Sequence, residues 1–157
     1  MDPQTLDKVR CSLAAEALRS RGVLKIRVAG VSMMPTLWPG DLLTVQCLRT
    51  EEAEPGEIVL YMRRDRFFIH RIVSKNLGQE DASLVTRGDC MSADDPTIGR
   101  NELLGKVTEI QRSDSIVPPA RSLSLTPRLL ACLLCLWCLF ACPGRLLLDS
   151  PSLRPAA

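Results

Sequence analysis

The sequence has almost no excess of charge of either sign and contains one histidine. Of its 157 residues, 20 are Lys or Arg and 18 are Asp or Glu, so the net charge is +2. This balance gives no reason to expect a nucleic-acid partner. The hydrophobic share of 46% and the charged share of 24% are those of a globular protein, not a disordered one. The length indicates a single domain with enough residues to bury a core.

A complete set of intramolecular disulfides is excluded, because the chain has seven cysteines. Cys132, Cys135, Cys138 and Cys142 precede Pro143 with the C-x2-C-x2-C-x3-C-P spacing of bacterial iron–sulfur sites. The same spacing also places all four on one face of a helix. Large apolar residues separate these cysteines, where a cluster-binding loop usually carries small and polar ones. We therefore expect a cysteine-lined helix, no metal and no other cofactor.

The longest uninterrupted apolar run, residues 129–142, is too short to cross a bilayer comfortably. Fourteen helical residues reach about 21 Å, whereas the hydrocarbon core is about 30 Å thick. Arg128 and Arg145 flank the run, so basic residues give no orientation. The run favours a membrane-associated or re-entrant helix, or a buried core helix, over a full span. We expect a protein at a prokaryotic cell membrane, with a soluble cytoplasmic protein as the alternative.

The first residues have the spacing of an amphipathic helix over residues 4–21. Apolar side chains recur at positions 6, 9, 13, 14, 17 and 18, and Gly22 provides a stop. Charged side chains in the same stretch exclude a signal peptide and a membrane span there. We divide the chain into this N-terminal helix (1–22), a central domain (23–112), and a linker with the apolar tail (113–157).

The central domain changes to short β-rich runs separated by turn residues. Such spacing predicts an antiparallel sheet that is partly closed or sandwiched. The turn between the third and fourth runs is expected at residues 63–66. The predicted strands cover residues 23–29, 41–47, 56–62, 66–75, 83–87 and 104–111.

One serine and the single histidine form a candidate nucleophile and base. Gly30 and Pro35 bracket Ser32, so the serine should lie on a fixed bend between two strands. A serine is a weak nucleophile without an adjacent base, and His70 on a predicted strand can supply one. Taken singly, each residue is more often an ordinary turn serine or a packed histidine. Their assignment therefore depends on the sequence around them.

Four segments of the chain resemble the ordered boxes of type I signal peptidases. SMMPTL at 32–37, followed by Gly-Asp at 40–41, is similar to the nucleophile box, and GEIV at 56–59 to the strand start that follows it. FIHRIV at 68–73 resembles the base box, with His as in the endoplasmic-reticulum and archaeal type. RGD at 87–89 with ADD at 93–95, and then LGKV at 104–107, resembles the third box and the closing strand.

The resemblance implies a mainly β fold, the convoluted antiparallel catalytic fold shared by signal peptidases and LexA-like autoproteases. It also implies roles for the matching residues: Ser32 as nucleophile, His70 as base, and an acid that orients the imidazole. Asp95 is the preferred acid and Asp89 the alternative, which can instead hold the catalytic loop. The backbone N–H of Ser32 is the expected oxyanion donor. Gly30 stands where relatives often have a serine, so a side-chain donor is missing.

Three functions follow as alternatives. The first is a serine endopeptidase that removes signal or leader segments from exported or modified peptides, so its partner would be a peptide or preprotein substrate. The second is a LexA-like self-cleaving regulator, which is disfavoured because the base position holds His instead of Lys and because no helix-turn-helix pattern precedes the domain. The third is a non-catalytic relative that only binds peptides, which the presence of nucleophile, base and acids disfavours.

Overall fold

The computed structural model describes residues 3–78, 82–122 and 154–155. It begins with one α-helix, α1 (Pro3–Arg21), whose predicted bounds were residues 4–21. Gly22 ends the helix in the left-handed conformation, with φ of 77°, and its N–H donates to the carbonyl of Leu18. The buried face of α1 consists of Cys11, Ala14, Ala15 and Leu18. The small side chains of Cys11, Ala14 and Ala15 allow the helix to lie close to the sheet.

The rest of the described chain forms one sheet, in which every strand pair is antiparallel. The strands are β1 (Val23–Arg27), β2 (Leu42–Cys47), β3 (Ile58–Arg63), β4 (Arg66–Leu77), β5 (Ala82–Arg87), β6 (Leu103–Arg112), β7 (Ser115–Val117) and β8 (Arg154–Pro155). They run in the order β5-β4-β3-β6-β2-β1-β8, and β7 pairs with β6 beside that path. A short 3-10 helix, Thr50–Glu52, lies between β2 and β3.

The six predicted strands are all present, with bounds that differ by up to two residues. The predicted turn before the fourth strand is a two-residue hairpin turn, in which Arg64 and Asp65 have φ of 52° and 61°. β7 occupies residues that the sequence pattern placed in a linker. β7 pairs with Ile110–Arg112 of β6, although Ser115, Ile116 and Val117 are all exposed.

The core lies on both faces of the sheet, with β3 at its centre. Ile58 and Leu60 point to the face covered by α1, whereas Val59 and Tyr61 point to the other face. The second face is covered by the 3-10 helix region and by the segment that pairs Leu84 with Ile98. Because β3 is buried on both faces, its neighbour β4 is held rigidly, and β4 carries His70.

The predicted apolar helix at 129–142, with its four cysteines, lies outside the described residues, so it stays a prediction. Within the described part of the chain, no helix is long and apolar enough to cross a membrane. The same part contains no group of three or more His, Cys, Asp or Glu side chains arranged to hold a metal ion. The division into residues 1–22, 23–112 and 113–157 stays a prediction.

Candidate active site

Ser32 lies in a turn that leaves the sheet after β1 and returns to it at β2. The base of this nucleophile turn, residues 28–41, is closed by a hydrogen bond of 2.8 Å from the Val28 N–H to the Asp41 carbonyl. Met33 and Leu37 point into the core and are almost fully buried. The N–H of Leu37 donates to the carbonyl of Met33 at 3.0 Å. These two apolar side chains anchor the turn on the core and leave Ser32 at its rim.

His70 faces this serine from the middle of β4. Its Nε2 lies 3.0 Å from the Oγ of Ser32, and the residue is only 8% exposed. The rings of Tyr61 and Phe68 contact the imidazole edge-on, with centroids at 6.2 and 6.4 Å. Strand pairing and aromatic packing together hold the imidazole in the orientation that a base needs to take a proton from Ser32.

Asp95 contacts the other nitrogen of the imidazole. Its Oδ2 lies 2.5 Å from Nδ1 of His70, and Thr86 Oγ1 donates to the same oxygen at 2.8 Å. The N–H of Asp95 also donates to the carbonyl of Thr86 at 2.7 Å, so both backbone and side chain are fixed. A proton held between Nδ1 and this carboxylate leaves Nε2 free to accept the serine proton.

The environment of Asp95 keeps its carboxyl group ionised. Burial by itself raises the pKa of Asp95, but the hydrogen bond and charge of His70 and the hydroxyls of Thr86 and Tyr61 outweigh burial and lower it below its ordinary value. The pKa of Tyr61 is also shifted. Burial, with a contribution from the Asp95 charge, raises the pKa of Tyr61 to about 12. Tyr61 is therefore a neutral donor, and Asp95 can stabilise a protonated imidazole.

The alternative acid, Asp89, binds a different partner. Arg71 donates to both of its oxygens, from Nε and Nη2 at 2.8 Å each, and Thr36 Oγ1 donates to Oδ2 at 2.5 Å. The Asp89 side chain is only 3% exposed. Because Arg71 follows His70 on β4 and Thr36 belongs to the nucleophile turn, this carboxylate joins the base strand to the turn.

Gly88 brings the third box against the nucleophile. A Cβ atom at this position would lie 2.6 Å from the carbonyl oxygen of Ser32 and 2.8 Å from Cγ of Met91. The same serine carbonyl accepts a hydrogen bond of 3.1 Å from the N–H of Cys90. Only glycine permits this approach, so the spacing of Arg-Gly-Asp has a steric reason as well as an electrostatic one.

A second ion pair, in which the carboxylate of Asp41 is buried, holds the far side of the turn. Arg112 donates to both oxygens of Asp41, at 2.9 and 2.6 Å, and to the carbonyl of Thr36 at 3.1 Å. Burial by itself raises the pKa of Asp41. The hydrogen bonds from Arg112 and from the Trp38 N–H outweigh burial, so the pKa of Asp41 is lower than its ordinary value. Thr36 is thus held twice, through its hydroxyl by Asp89 and through its carbonyl by Arg112.

The peptide that contains the expected oxyanion donor also has a fixed orientation. The carbonyl of Val31 accepts hydrogen bonds from the Met34 N–H at 3.0 Å and from Cys90 Sγ at 3.3 Å. In a trans peptide the N–H points away from the carbonyl, so the direction of the Ser32 N–H is set by these two contacts. The role of this N–H as oxyanion donor stays a prediction.

Two lysines on the strands of the sheet, Lys75 and Lys106, bind groups outside the Ser32–His70 site. Lys75, five residues after His70 on β4, donates to the carbonyl of Glu51 at 2.7 Å. Lys106 on β6 pairs with the buried carboxylate of Glu57 at 2.8 Å. Both ammonium groups are therefore used in contacts that link strands to loops.

A family model described as Peptidase S24-like matches residues 4–85, slightly more than half of the chain. The chain belongs to the Peptidase S24-like family. This membership makes it a serine-type peptidase of the LexA and signal peptidase superfamily. The match to this family includes Ser32 and His70 and ends before Asp89 and Asp95. A comparison with curated proteins gave no match.

The structure brings Ser32, His70 and Asp95 into one hydrogen-bonded series. Asp89 lies outside this series and forms an ion pair with Arg71. Among the site residues that sequence reasoning missed are Arg71 and Arg112. Arg71 carries a weak signal, since it stands beside His70 in residues 67–73, where the other five residues are apolar. Arg112 carries none, because its partner Asp41 is 71 residues away in the chain.

Proposed function

We propose that the protein is a serine endopeptidase that removes signal or leader segments from exported or modified peptides. The observation that carries the proposal is the series Ser32 Oγ, His70 Nε2, His70 Nδ1 and Asp95 Oδ2, with distances of 3.0 and 2.5 Å. This is the arrangement in which a serine can attack a carbonyl while a histidine takes its proton and returns it to the leaving amine.

The proposed reaction follows from the three side chains. Ser32 Oγ forms a bond to the peptide carbonyl carbon as its proton passes to His70 Nε2, and the ionised Asp95 stabilises the imidazolium. The C–N bond then breaks, the amine leaves with the proton from His70, and water releases the acyl group by the reverse path. The N–H of Ser32 is proposed to bind the oxyanion.

A leader peptide with small side chains before the cut tests the proposal. Wild-type protein should cleave it, whereas Ser32→Ala should not; Ser12→Ala, an exposed serine on α1, serves as the matched control. Cleavage of the protein itself instead of the peptide would favour the self-cleaving alternative, which the family match also supports. Binding without any cleavage, in the presence of a folded protein, would point to the peptide-binding alternative.

We also propose that the apolar segment at 129–142 associates with membrane lipid. Deleting residues 123–157 should release the protein from the membrane fraction and should spare hydrolysis of a short soluble peptide, because every proposed catalytic residue lies before that deletion. Full-length protein and the truncated form should be compared by cell fractionation. Insoluble truncated protein would show instead that residues 123–157, which include β8, are part of the fold.

A further inference from the structure

The proposed catalytic acid, Asp95, lies in a segment outside the helix and the named strands. Residues 95–98, which we call the acid segment, run beside β5, the first strand in the order of the sheet. The N–H of Asp95 donates to the Thr86 carbonyl at 2.7 Å, and Leu84 and Ile98 exchange two backbone hydrogen bonds at 2.8 and 2.9 Å. One edge of the acid segment is therefore fixed on β5.

Arg63, the last residue of β3, holds the acid segment from a second direction. Its Nη1 donates to the carbonyl of Pro96 at 3.1 Å, and its Nη2 donates to the carbonyl of Thr97 at 2.7 Å. These carbonyl groups belong to the two residues that follow Asp95. A residue before proline is also restricted to extended backbone, so Asp95 has little freedom once both carbonyls are bound.

The guanidinium group of Arg63 is itself held by the carboxylate of Glu102. Nε and Nη2 of Arg63 donate to its two oxygens at 2.5 and 2.8 Å, and this paired contact fixes the plane of the guanidinium group. Glu102 is fixed in turn, because its Oε2 accepts from the Gly99 N–H at 3.2 Å and its carbonyl accepts from the Met62 N–H at 2.8 Å. Arg63 is therefore a rigid donor.

Arg63 also lies on the face of the sheet that carries the site. Side chains alternate along a strand, so Tyr61 and Arg63 point to the same face of β3. The ring of Tyr61 contacts that of His70. The hydrogen bond from Glu102 is the main cause that raises the pKa of Arg63, and the charge of Asp95 contributes. The guanidinium group is thus near enough to the acid to act on it.

We propose that Arg63 is a positioning residue for the proposed catalytic acid. By binding two carbonyls of the acid segment, it keeps the Asp95 carboxylate 2.5 Å from Nδ1 of His70. Without Arg63 the acid segment keeps only its attachment to β5 and can turn about it, so the carboxylate moves away from the imidazole. This inference rests on the proposed function and deepens it, because it adds a residue that acts on the site through the acid.

The single histidine of the chain allows a direct test, because one labelled imidazole reports on one contact. A proton held between Nδ1 and a carboxylate gives a proton NMR signal far downfield of the backbone amides. The full-length Ser32→Ala protein, in which no self-cleavage intervenes, is prepared with isotope-labelled histidine and compared at pH 7 with the same protein carrying Arg63→Met. We expect the signal of the Nδ1 proton in the first protein and its loss in the second.

Lys106→Met is the matched control for Arg63→Met. It breaks the ion pair with Glu57, and the exposed fraction of the Lys106 side chain, 31%, is close to the 23% of Arg63. The Lys106→Met protein should keep the Nδ1 proton signal. The Glu102 side chain is 30% exposed, so water can solvate its carboxylate when Arg63 is replaced, and both variants should fold. Circular dichroism checks this.

Arg63→Lys separates the position of the contacts from the charge. A lysine keeps the positive charge but lacks the planar group that binds Glu102 and the two carbonyls at once. We therefore expect this variant to lose the Nδ1 proton signal as Arg63→Met does. An effect of charge alone would be restored by lysine.

The proposed role also predicts a division between two kinetic constants. In protein that retains Ser32, Arg63→Met should lower kcat for the leader peptide by roughly 10- to 100-fold and leave KM unchanged. A displaced acid weakens stabilisation of the transition state and does not touch the bound peptide. Lys106→Met should leave both constants unchanged.

Four NMR results would overturn the proposal. An unchanged signal in folded Arg63→Met would show that β5 alone positions the acid, and equal loss in Lys106→Met would indicate general loosening of the fold. Full recovery in Arg63→Lys would assign the effect to charge, and absence of the signal in the Ser32→Ala protein would contradict the contact with Asp95 itself. Because these measurements use inactive protein, their failure is separate from failure of the proposed peptidase activity, which is measured on the leader peptide.

Discussion

The guanidinium group of Arg71 binds both carboxylate oxygens of Asp89, one residue after the histidine that faces Ser32. The same guanidinium group also contacts the carbonyls of Gly56 and Ala120. Arg71 therefore connects three separate parts of the chain to the base strand, and Asp89 in turn binds Thr36 in the nucleophile turn. The paired acids in the third box thus have separate tasks, since Asp95 binds the imidazole and Asp89 holds the frame around it.

Removing one partner of this ion pair should be strongly destabilising. Arg71→Met leaves the Asp89 carboxylate buried without its charge partner, which should lower the free energy of unfolding by about 3–5 kcal/mol. Arg87→Met is the control, because Arg87 pairs with Asp94 at the surface, where such a pair contributes about 0–1 kcal/mol. Urea unfolding at pH 7 measures both. Equal losses in the two variants would contradict the assigned role of Arg71.

The proposed catalytic series predicts a specific pattern of non-additive loss. Ser32→Ala and His70→Ala should each lower the rate of peptide cleavage by roughly 10⁴-fold or more, and the double variant should be no worse than either single one. The rates are measured on the leader peptide that the wild-type protein cleaves, after unfolding curves confirm that each variant is folded. A single variant with activity within a few-fold of wild type would remove that residue from the mechanism.

The ordered boxes in the sequence predicted the fold well because they report local structure. Alternating apolar residues and turn residues mark each strand, and the glycine at 22 marks the end of α1. Position in the boxes also singled out Ser32, His70 and Asp95, which the structure brings together. The choice between Asp95 and Asp89 needed the structure, because two acids six residues apart in a loop can each reach the same histidine.

The residues that sequence reasoning missed act through long-range contacts. Arg112 meets Asp41 only because β6 pairs with β2, and nothing in the periodicity of either strand marks that pair. β7 was missed for a related reason. It is three residues long and exposed on both faces, so it has no apolar alternation, and only its pairing with β6 defines it as a strand.

Asp95 should contribute stability that depends on pH. Its pKa is lower in the folded protein than its ordinary value, so its contribution is fully present above about pH 4–5 and is lost as the pH falls through the folded pKa. Asp95→Asn should therefore be less stable than wild type at pH 7, and this difference should shrink toward pH 2. Urea unfolding across that range measures the difference. Taking the difference between variants cancels the similar contributions of Asp41 and Glu102, whose pKa values are also lowered.

The same variant should change catalysis in a second, separable way. Without the Asp95 charge the imidazolium form loses its partner, so Asp95→Asn should lower the rate of peptide cleavage in a protein that is still folded. Asp89→Asn tests the other acid, because its carboxylate binds Arg71, and its loss should appear mainly as lower stability in urea unfolding. A larger loss of rate in folded Asp89→Asn than in folded Asp95→Asn would transfer the orienting role to Asp89.

The close approach of Gly88 to the nucleophile gives the most local test of the site. Gly88→Ala would put a Cβ atom 2.6 Å from the backbone carbonyl oxygen of Ser32, closer than real Cβ atoms come, so the turn or the third box must shift. Displacement of a reacting atom by about 1 Å can cost on the order of 10²-fold in rate, so we expect a loss of about that size in peptide cleavage.

Gly99→Ala is the control for this change. A Cβ atom there meets nothing within 4 Å, so the variant should keep wild-type activity. Because the clash at Gly88 involves backbone and not a mobile side chain, trimming Met91 to alanine in the Gly88→Ala background should restore little activity. Full recovery in that double variant would show that Met91, and not the Ser32 carbonyl, sets the requirement for glycine. Wild-type activity in Gly88→Ala alone would mean that Ser32 does not need the position in which this contact holds it.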